Sequence, residues 1–135
     1  MHEKLSGVTT LPAELRDLLD ARAFAVLSTV NADGSPQSSV IWATYEGDDV
    51  IFSTILGRRK TLNMSRDPRV SLCVYDGANP YSYVEVRGTV SMTQEGGPEL
   101  IEQLSQAYDG RTFTESNAAN VRVVVRIAPT HVILH

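Results

Sequence analysis

The sequence predicts a mainly β (α+β) fold, a small antiparallel barrel with flanking helices. Three observations carry this expectation. Short runs rich in Val, Ile, Thr and aromatic residues recur between turn signals such as "NADG" and "EGDD". Helical spacing of apolar residues occurs in two longer segments and one short one. Strands joined by short turns form hairpins, and some six or seven strands in 135 residues leave exposed edges unless the sheet closes or is covered.

The elements follow in order. "TTLPAELRDLLDAR" reads as a helix, because Leu11, Leu15, Leu18 and Leu19 repeat at helical spacing, with Thr10 as N-cap and Pro12 in the first turn. "FAVLSTV" (Phe24–Val30) reads as a strand, and the turn ending at Gly34 returns the chain into "PQSSVIWATY" (Pro36–Tyr45). Val50–Ile55 follows as a third strand. "KTLNMSR" forms a short helix stopped by Asp67-Pro68. "RVSLCVY" and the long "YSYVEVRGTVSM" are the next strands. Gly97-Pro98 opens a second long helix, with Leu100, Ile101, Leu104, Ala107 and Tyr108 on one face and Gly110 as its stop. "VRVVVRIAP" and "HVILH" read as two closing strands. The whole of 1–135 is expected to be one domain, with residues 1–10 a flexible N-terminus.

Composition removes several function classes. The net charge of -4 argues against a general nucleic-acid binder. No apolar run approaches the roughly 20 residues that span a bilayer. "MHEKLSGVTT" lacks the apolar centre of a secretory signal, so a cytoplasmic protein is expected. A single cysteine, Cys73, excludes an internal disulfide, and its place in "VSLCVY" marks it as a structural thiol. There is no dinucleotide or Walker glycine loop, no C-x-x-C, no H-E-x-x-H and no G-x-S-x-G elbow. His131 and His135 share one side of a strand, but they read as solvated or partly packed histidines, and no metal site is expected. An enzyme built on this chain would therefore import its reactive group with a cofactor.

The most unusual stretch is "STILGRRKTLNM" (Ser53–Met64). Arg58, Arg59, Lys60 and Arg66 are four of the chain's 12 Lys and Arg residues, and no acid interrupts them. Two readings stand side by side. One is a solvated basic loop. The other is an anion site, in which Gly57 permits a tight turn, a helix starting near Lys60 offers free N–H groups, and Ser53, Thr54 and Thr61 add hydroxyls. The neighbouring strand strengthens the second. Ser38, Val40 and Trp42 alternate onto one face, with Gln37, Ser39 and Ile41 on the other. A phosphate grip beside a flat apolar ledge suits a flavin-like cofactor.

Three segments, "AVLSTVNADGSPQSSVIWATYEGDDVIFST", "GRRKTLNMSRDPRVSLCVYD" and "YSYVEVRGTVSM", resemble the pyridoxamine-phosphate-oxidase-like split-barrel proteins. The similarity is greatest to the branch that depends on the deazaflavin coenzyme F420. It runs from Leu11 to His135 and rests on "DGSPQ", R-x-K-T-x-N and "RDPRVSL" together.

The resemblance implies an FMN-binding-like split β-barrel of six strands, forming a homodimer with cofactor sites at the subunit interface. It implies Arg58 and Lys60 as phosphate ligands. Ser53 and Thr54 would line the phosphate, with Thr61 and Asn63 in the same motif. Ser38, Val40 and Trp42 would run along the ring. Tyr81 would lie near the ring from either subunit, and its hydroxyl or water would supply a proton. Arg122 would meet the acidic tail of F420. No side chain is certain to be catalytic. The C-terminal substrate-phosphate motif of pyridoxamine-phosphate oxidases proper does not occur in this sequence, so oxidation of pyridoxamine phosphate is not expected.

The implied activity is that of an oxidoreductase passing a hydride from reduced F420 to an electron-poor small molecule. Two alternatives remain open at this point: an FMN-binding oxidase or electron carrier of the same fold, and a non-catalytic cofactor-binding or storage module.

Overall fold

Alternation of apolar and polar residues in "AVLSTV" buries Ala25, Leu27 and Thr29 and leaves Val26, Ser28 and Val30 on the other face, the pleat expected of a half-buried strand. The same period organises most of the computed structural model, which describes residues 3–6 and 10–135. Eight strands and three helices follow one another: β1 (Glu3–Ser6), α1 (Ala13–Asp20), β2 (Ala25–Val30), β3 (Pro36–Ile41), β4 (Thr44–Glu46), β5 (Asp49–Ile55), α2 (Arg59–Arg66), β6 (Arg69–Asp76), β7 (Asn79–Thr93), α3 (Gly97–Asp109) and β8 (Arg122–Leu134).

The sheet is antiparallel, in the order β3-β2-β6-β7-β8-β5-β4, with β1 on the free edge of the far part of β8. Its two ends, β3 and β4, do not pair with each other, so the sheet curls without closing and forms a split barrel. Its interior is filled by Leu27, Val50, Phe52, Leu72, Val74, Val86, Val125, Ile127 and Val132, all fully buried. Leu11, Leu15 and Leu19 of the α1 region complete this core. A second, smaller cluster joins Leu100 and Leu104 of α3 to Ile51 and Val124 on the outside of the barrel.

Four expectations are corrected. The segment Pro36–Tyr45 is not one strand. It breaks at Trp42-Ala43, so that β3 pairs with β2 while β4 pairs with β5. The chain thereby steps across the split between the two sheet ends, and a continuous strand would hold both halves in one plane. The two closing strands are a single strand, β8, which pairs with β7 along both parts. The register shift between Arg87 and Gly88 lets it bend without ending. A Cβ on Gly88 would stand 2.2 Å from the Ala128 carbonyl oxygen, so only glycine fits where the two strands close. Residues Glu3–Ser6, placed by the sequence in a flexible N-terminus, pair with β8; residues 1, 2 and 7–9 of that expectation lie outside the described residues. Finally, Pro12 and not Thr10 occupies the N-cap position of α1, and no side chain caps it. Among the described residues the sheet path holds seven strands, with β1 paired to β8 beside it. Among the described residues no helix is long and apolar enough to cross a membrane.

Candidate functional site

The turn after β5 builds the site. Ile55 ends the strand, and Gly57 adopts φ 92, a left-handed conformation that side-chain-bearing residues resist. Arg58 then takes the N-cap position of α2 with no side-chain cap, so the first N–H groups of the helix keep their hydrogen-bonding capacity and their partial positive charge. The Thr61 hydroxyl donates to the Ile55 carbonyl at 2.7 Å and closes the turn from within.

Beside this helix start lies a cavity of about 200 Å³, lined by Val40, Ile41, Trp42, Ser53, Arg58, Lys60, Ile101, Leu104 and Arg122. Three cations thus converge on one cavity from α2 and β8, and no carboxylate lines it. Lys60 is half-buried. Its Nζ donates to the Ser39 Oγ at 3.3 Å. Burial pulls its ammonium below the ordinary 10.5, and repulsion from Arg58 and Arg122 pushes the same way. Arg58 and Lys60 have no ion-pair partner among the described residues. Arg122 pairs with Glu115 at 2.8 Å. The Ser53 Oγ is buried with no hydrogen-bond partner. A cavity with two unpaired cations and a spare buried hydroxyl can bind an anion.

The apolar side of the cavity has its own support. Trp42 stacks on Tyr108 at 5.6 Å between ring centroids and 13° between planes. The Tyr108 hydroxyl donates to the Ala23 carbonyl at 2.6 Å and accepts from the Ala43 N–H at 3.4 Å. It therefore pins the break that re-aims the chain at Trp42. Burial raises the Tyr108 hydroxyl above its ordinary value, which keeps it protonated for this task.

The expected site residues divide. Val40, Trp42, Ser53, Arg58, Lys60 and Arg122 share the cavity. Ser38 does not line it. Its Oγ lies 3.4 Å from that of Ser28, and Ser39 meets Lys60 instead. Thr54 faces the core with Val50 and Phe52, because neighbours on a strand point to opposite faces and Ser53 already faces the cavity. Thr61 is committed to the Ile55 carbonyl. Asn63 is fully buried and donates to Thr29 Oγ1 at 3.0 Å and Asn31 Oδ1 at 2.9 Å, so it fastens α2 to the β2 hairpin and does not line the cavity. Tyr81, 88% exposed on the β6–β7 hairpin, lies outside the cavity.

Sequence reasoning missed Ser39, Tyr108 and Glu115. Ser39 was legible as the strand neighbour one residue from Ser38. Tyr108 and Glu115 carry no local signal, since their partners are 65 and 7 residues away. Of the remaining residues weighed earlier, Cys73 is half-buried, with burial pushing its thiol up, and His135 stacks on Tyr83 at 4.2 Å.

A larger groove, about 600 Å³, lies on the outer face of β2, β6 and β7. Its arginines are already neutralised, Arg69 by Asp67 at 2.8 Å and Arg87 by Glu85 at 2.9 Å. Unpaired charge, and not volume, singles out the smaller cavity.

Known proteins place this architecture. Among solved structures, an F420 reductase is 32% identical over 90% of this chain and 98% of its own, with a TM-score of 0.79. A conserved hypothetical protein from Mycobacterium tuberculosis is 24% identical over 96% of this chain and 87% of its own, with a TM-score of 0.73. General Stress Protein 26 from Bacillus anthracis shares the fold at 19% identity and a TM-score of 0.69, covering 90% of this chain and 91% of its own. The family model for pyridoxamine 5'-phosphate oxidase matches residues 11–135, and the protein belongs to that family.

Proposed function

We propose that the protein is an oxidoreductase that uses reduced coenzyme F420 to pass a hydride to an electron-poor small molecule. The observation that carries this reading is the convergence of Arg58, Lys60 and Arg122 on one cavity that no carboxylate lines. The likeness to an F420 reductase supports the choice of cofactor.

The residues present fit a phosphate-bearing cofactor. Arg58, Lys60 and the uncapped start of α2 would hold the phosphate, and the partnerless Ser53 hydroxyl would complete its shell. Val40, 63% exposed, and the stacked Trp42 offer an apolar ledge at the rim. Ile101 and Leu104 of α3 wall the cavity against water. When bound, the deazaflavin supplies the hydride. The chain's task is to hold, orient and shield, and the second hydrogen of the reduced double bond arrives as a proton from water or from the Tyr81 hydroxyl. Tyr81 lies outside its own chain's cavity, so that role belongs to a second copy in the homodimer of this reading.

FMN carries the same phosphate and is the competing ligand. The test is a parallel titration with F420 and FMN, read by ligand fluorescence and by Trp42, the chain's single tryptophan. F420 is expected to bind more tightly, and reduced F420 to be consumed with enone or quinone acceptors. Tighter FMN binding would turn the assignment to an FMN protein. F420 binding without turnover across the panel would leave a binding or storage module.

A further inference from the structure

Residues 110–121, between α3 and β8, contain no helix or strand, yet hydrogen bonds tie them to α3, to the end of β5 and to the start of β8, the Leu56 N–H donating to the Val121 carbonyl at 3.0 Å. Ser105 donates from Oγ to the Arg111 carbonyl at 2.7 Å. The Phe113 N–H donates to Glu102 Oε1 at 3.0 Å. Arg122 grips Glu115 through Nε at 2.9 Å and through a terminal nitrogen at 2.8 Å, and its guanidinium lies 4.7 Å over the Phe113 ring. Only 11% of the Arg122 side chain is exposed.

This arginine borders two cavities. One is the cationic cavity shared with Arg58 and Lys60. The other, about 220 Å³, lies beneath the segment and is lined by Pro98, Ile101, Glu102, Phe113, Glu115 and Asn120 as well as Arg122. Among the described residues, Glu115 is the one carboxylate paired with any of the three cavity cations. While it holds Arg122, two cations without an ion-pair partner remain, which matches a single phosphate. Once it leaves, three cations face the ligand. A nearly buried guanidinium cannot lose its anion without replacement, so Glu115 yields only to another anion.

We infer that Glu115 is a displaceable counter-anion and a specificity-determining residue. A ligand with one phosphate is held by Arg58 and Lys60 with the 110–121 strap closed. A phosphate ester or diester bearing a further anionic group takes Arg122, displaces Glu115 and lifts the strap from the second cavity. This inference rests on the anion-site reading above.

The test compares FMN, with one phosphate, and F420, with a phosphodiester and carboxylates, by Trp42 fluorescence in the wild type and in Glu115→Gln. Removing the competing charge is expected to tighten F420 roughly tenfold and to change FMN by less than about threefold. Glu99→Gln, an equal charge change on the exposed face of α3, is expected to leave both affinities alone. In the wild type, amide hydrogen exchange across 110–121 is expected to accelerate with F420 and not with FMN, and this readout decides the matter if the variant does not fold. Equal tightening of both ligands, or slower exchange with F420, would overturn the inference. If binding of both ligands survives Arg58→Ala plus Lys60→Ala, the anion-site reading falls and takes this inference with it. If that double variant loses binding and Glu115→Gln shows no change in preference, the inference falls alone.

Discussion

Lys60 donates from Nζ to the Ser39 Oγ at 3.3 Å, joining the first turn of α2 to β3. The contact directs a half-buried ammonium into a cavity that holds two further cations and no lining acid. Lys60→Ala is expected to weaken binding of a phosphate-bearing ligand about tenfold or more, since a hydrogen bond to a charged group contributes about 1.5–3 kcal/mol. Arg58 is exposed, so Arg58→Ala should cost only about two- to fivefold. Arg59 lines no part of the cavity, and Arg59→Ala should change nothing. The same fluorescence titration ranks the three.

The stability of the ligand-free protein should rise with pH as Lys60 loses its proton. Its folded value lies below the ordinary 10.5 because burial and then Arg58 and Arg122 disfavour the charge. Between the two values the unfolded chain binds more protons than the folded one, so unfolding free energy increases with pH in that window. Lys60→Met removes this rise and stabilises the ligand-free protein at neutral pH. Saturating phosphate, by stabilising the ammonium, should flatten the wild-type profile. Urea denaturation at a series of pH values up to 10 measures both effects, stopping before Tyr45 and Tyr108 contribute.

Asn63→Ala should cost stability before it costs binding. The side chain is fully buried and its amide donates to Thr29 and Asn31, while Thr29 passes its own proton to Gln37 Oε1 at 2.7 Å. Its loss leaves the buried Thr29 Oγ1 and the half-buried Asn31 Oδ1 without this donor, a penalty of about 1–3 kcal/mol. Thermal unfolding should fall by several degrees. A variant with unchanged stability but lost ligand affinity would instead make Asn63 a direct ligand.

Gly97→Ala should disturb the site through the backbone. A Cβ there would meet the Arg122 carbonyl oxygen at 2.3 Å and its carbonyl carbon at 2.6 Å. Neither atom can yield without shifting β8 or the start of α3, so destabilisation of about 1–3 kcal/mol is expected. The shift should also move Arg122 and weaken a doubly anionic ligand more than FMN. Circular dichroism melts and the paired titration separate the two effects.

Local pattern was enough for most of the fold. Two-residue alternation located the strands, the leucine spacing of α1 and the apolar face of α3 located the helices, and Gly57 with its three following cations marked the turn beside the cationic cavity. These signals are readable because each arises from neighbours a few residues apart. The same alternation distinguishes Ser53 from Thr54, once it is known which face the cavity takes.

That last choice belongs to the tertiary structure. The break at Trp42-Ala43 follows from β3 and β4 joining opposite ends of an open sheet, and Tyr108 holds it from α3, 65 residues away. Arg122 reaches Arg58 and Lys60 only because β8 pairs with β5, setting Ile55 opposite Arg122. The sequence by itself determined which groups could bind an anion. Long-range strand pairing decided which of them meet, because convergence of like charges is set by the register of distant strands and leaves no trace in local spacing.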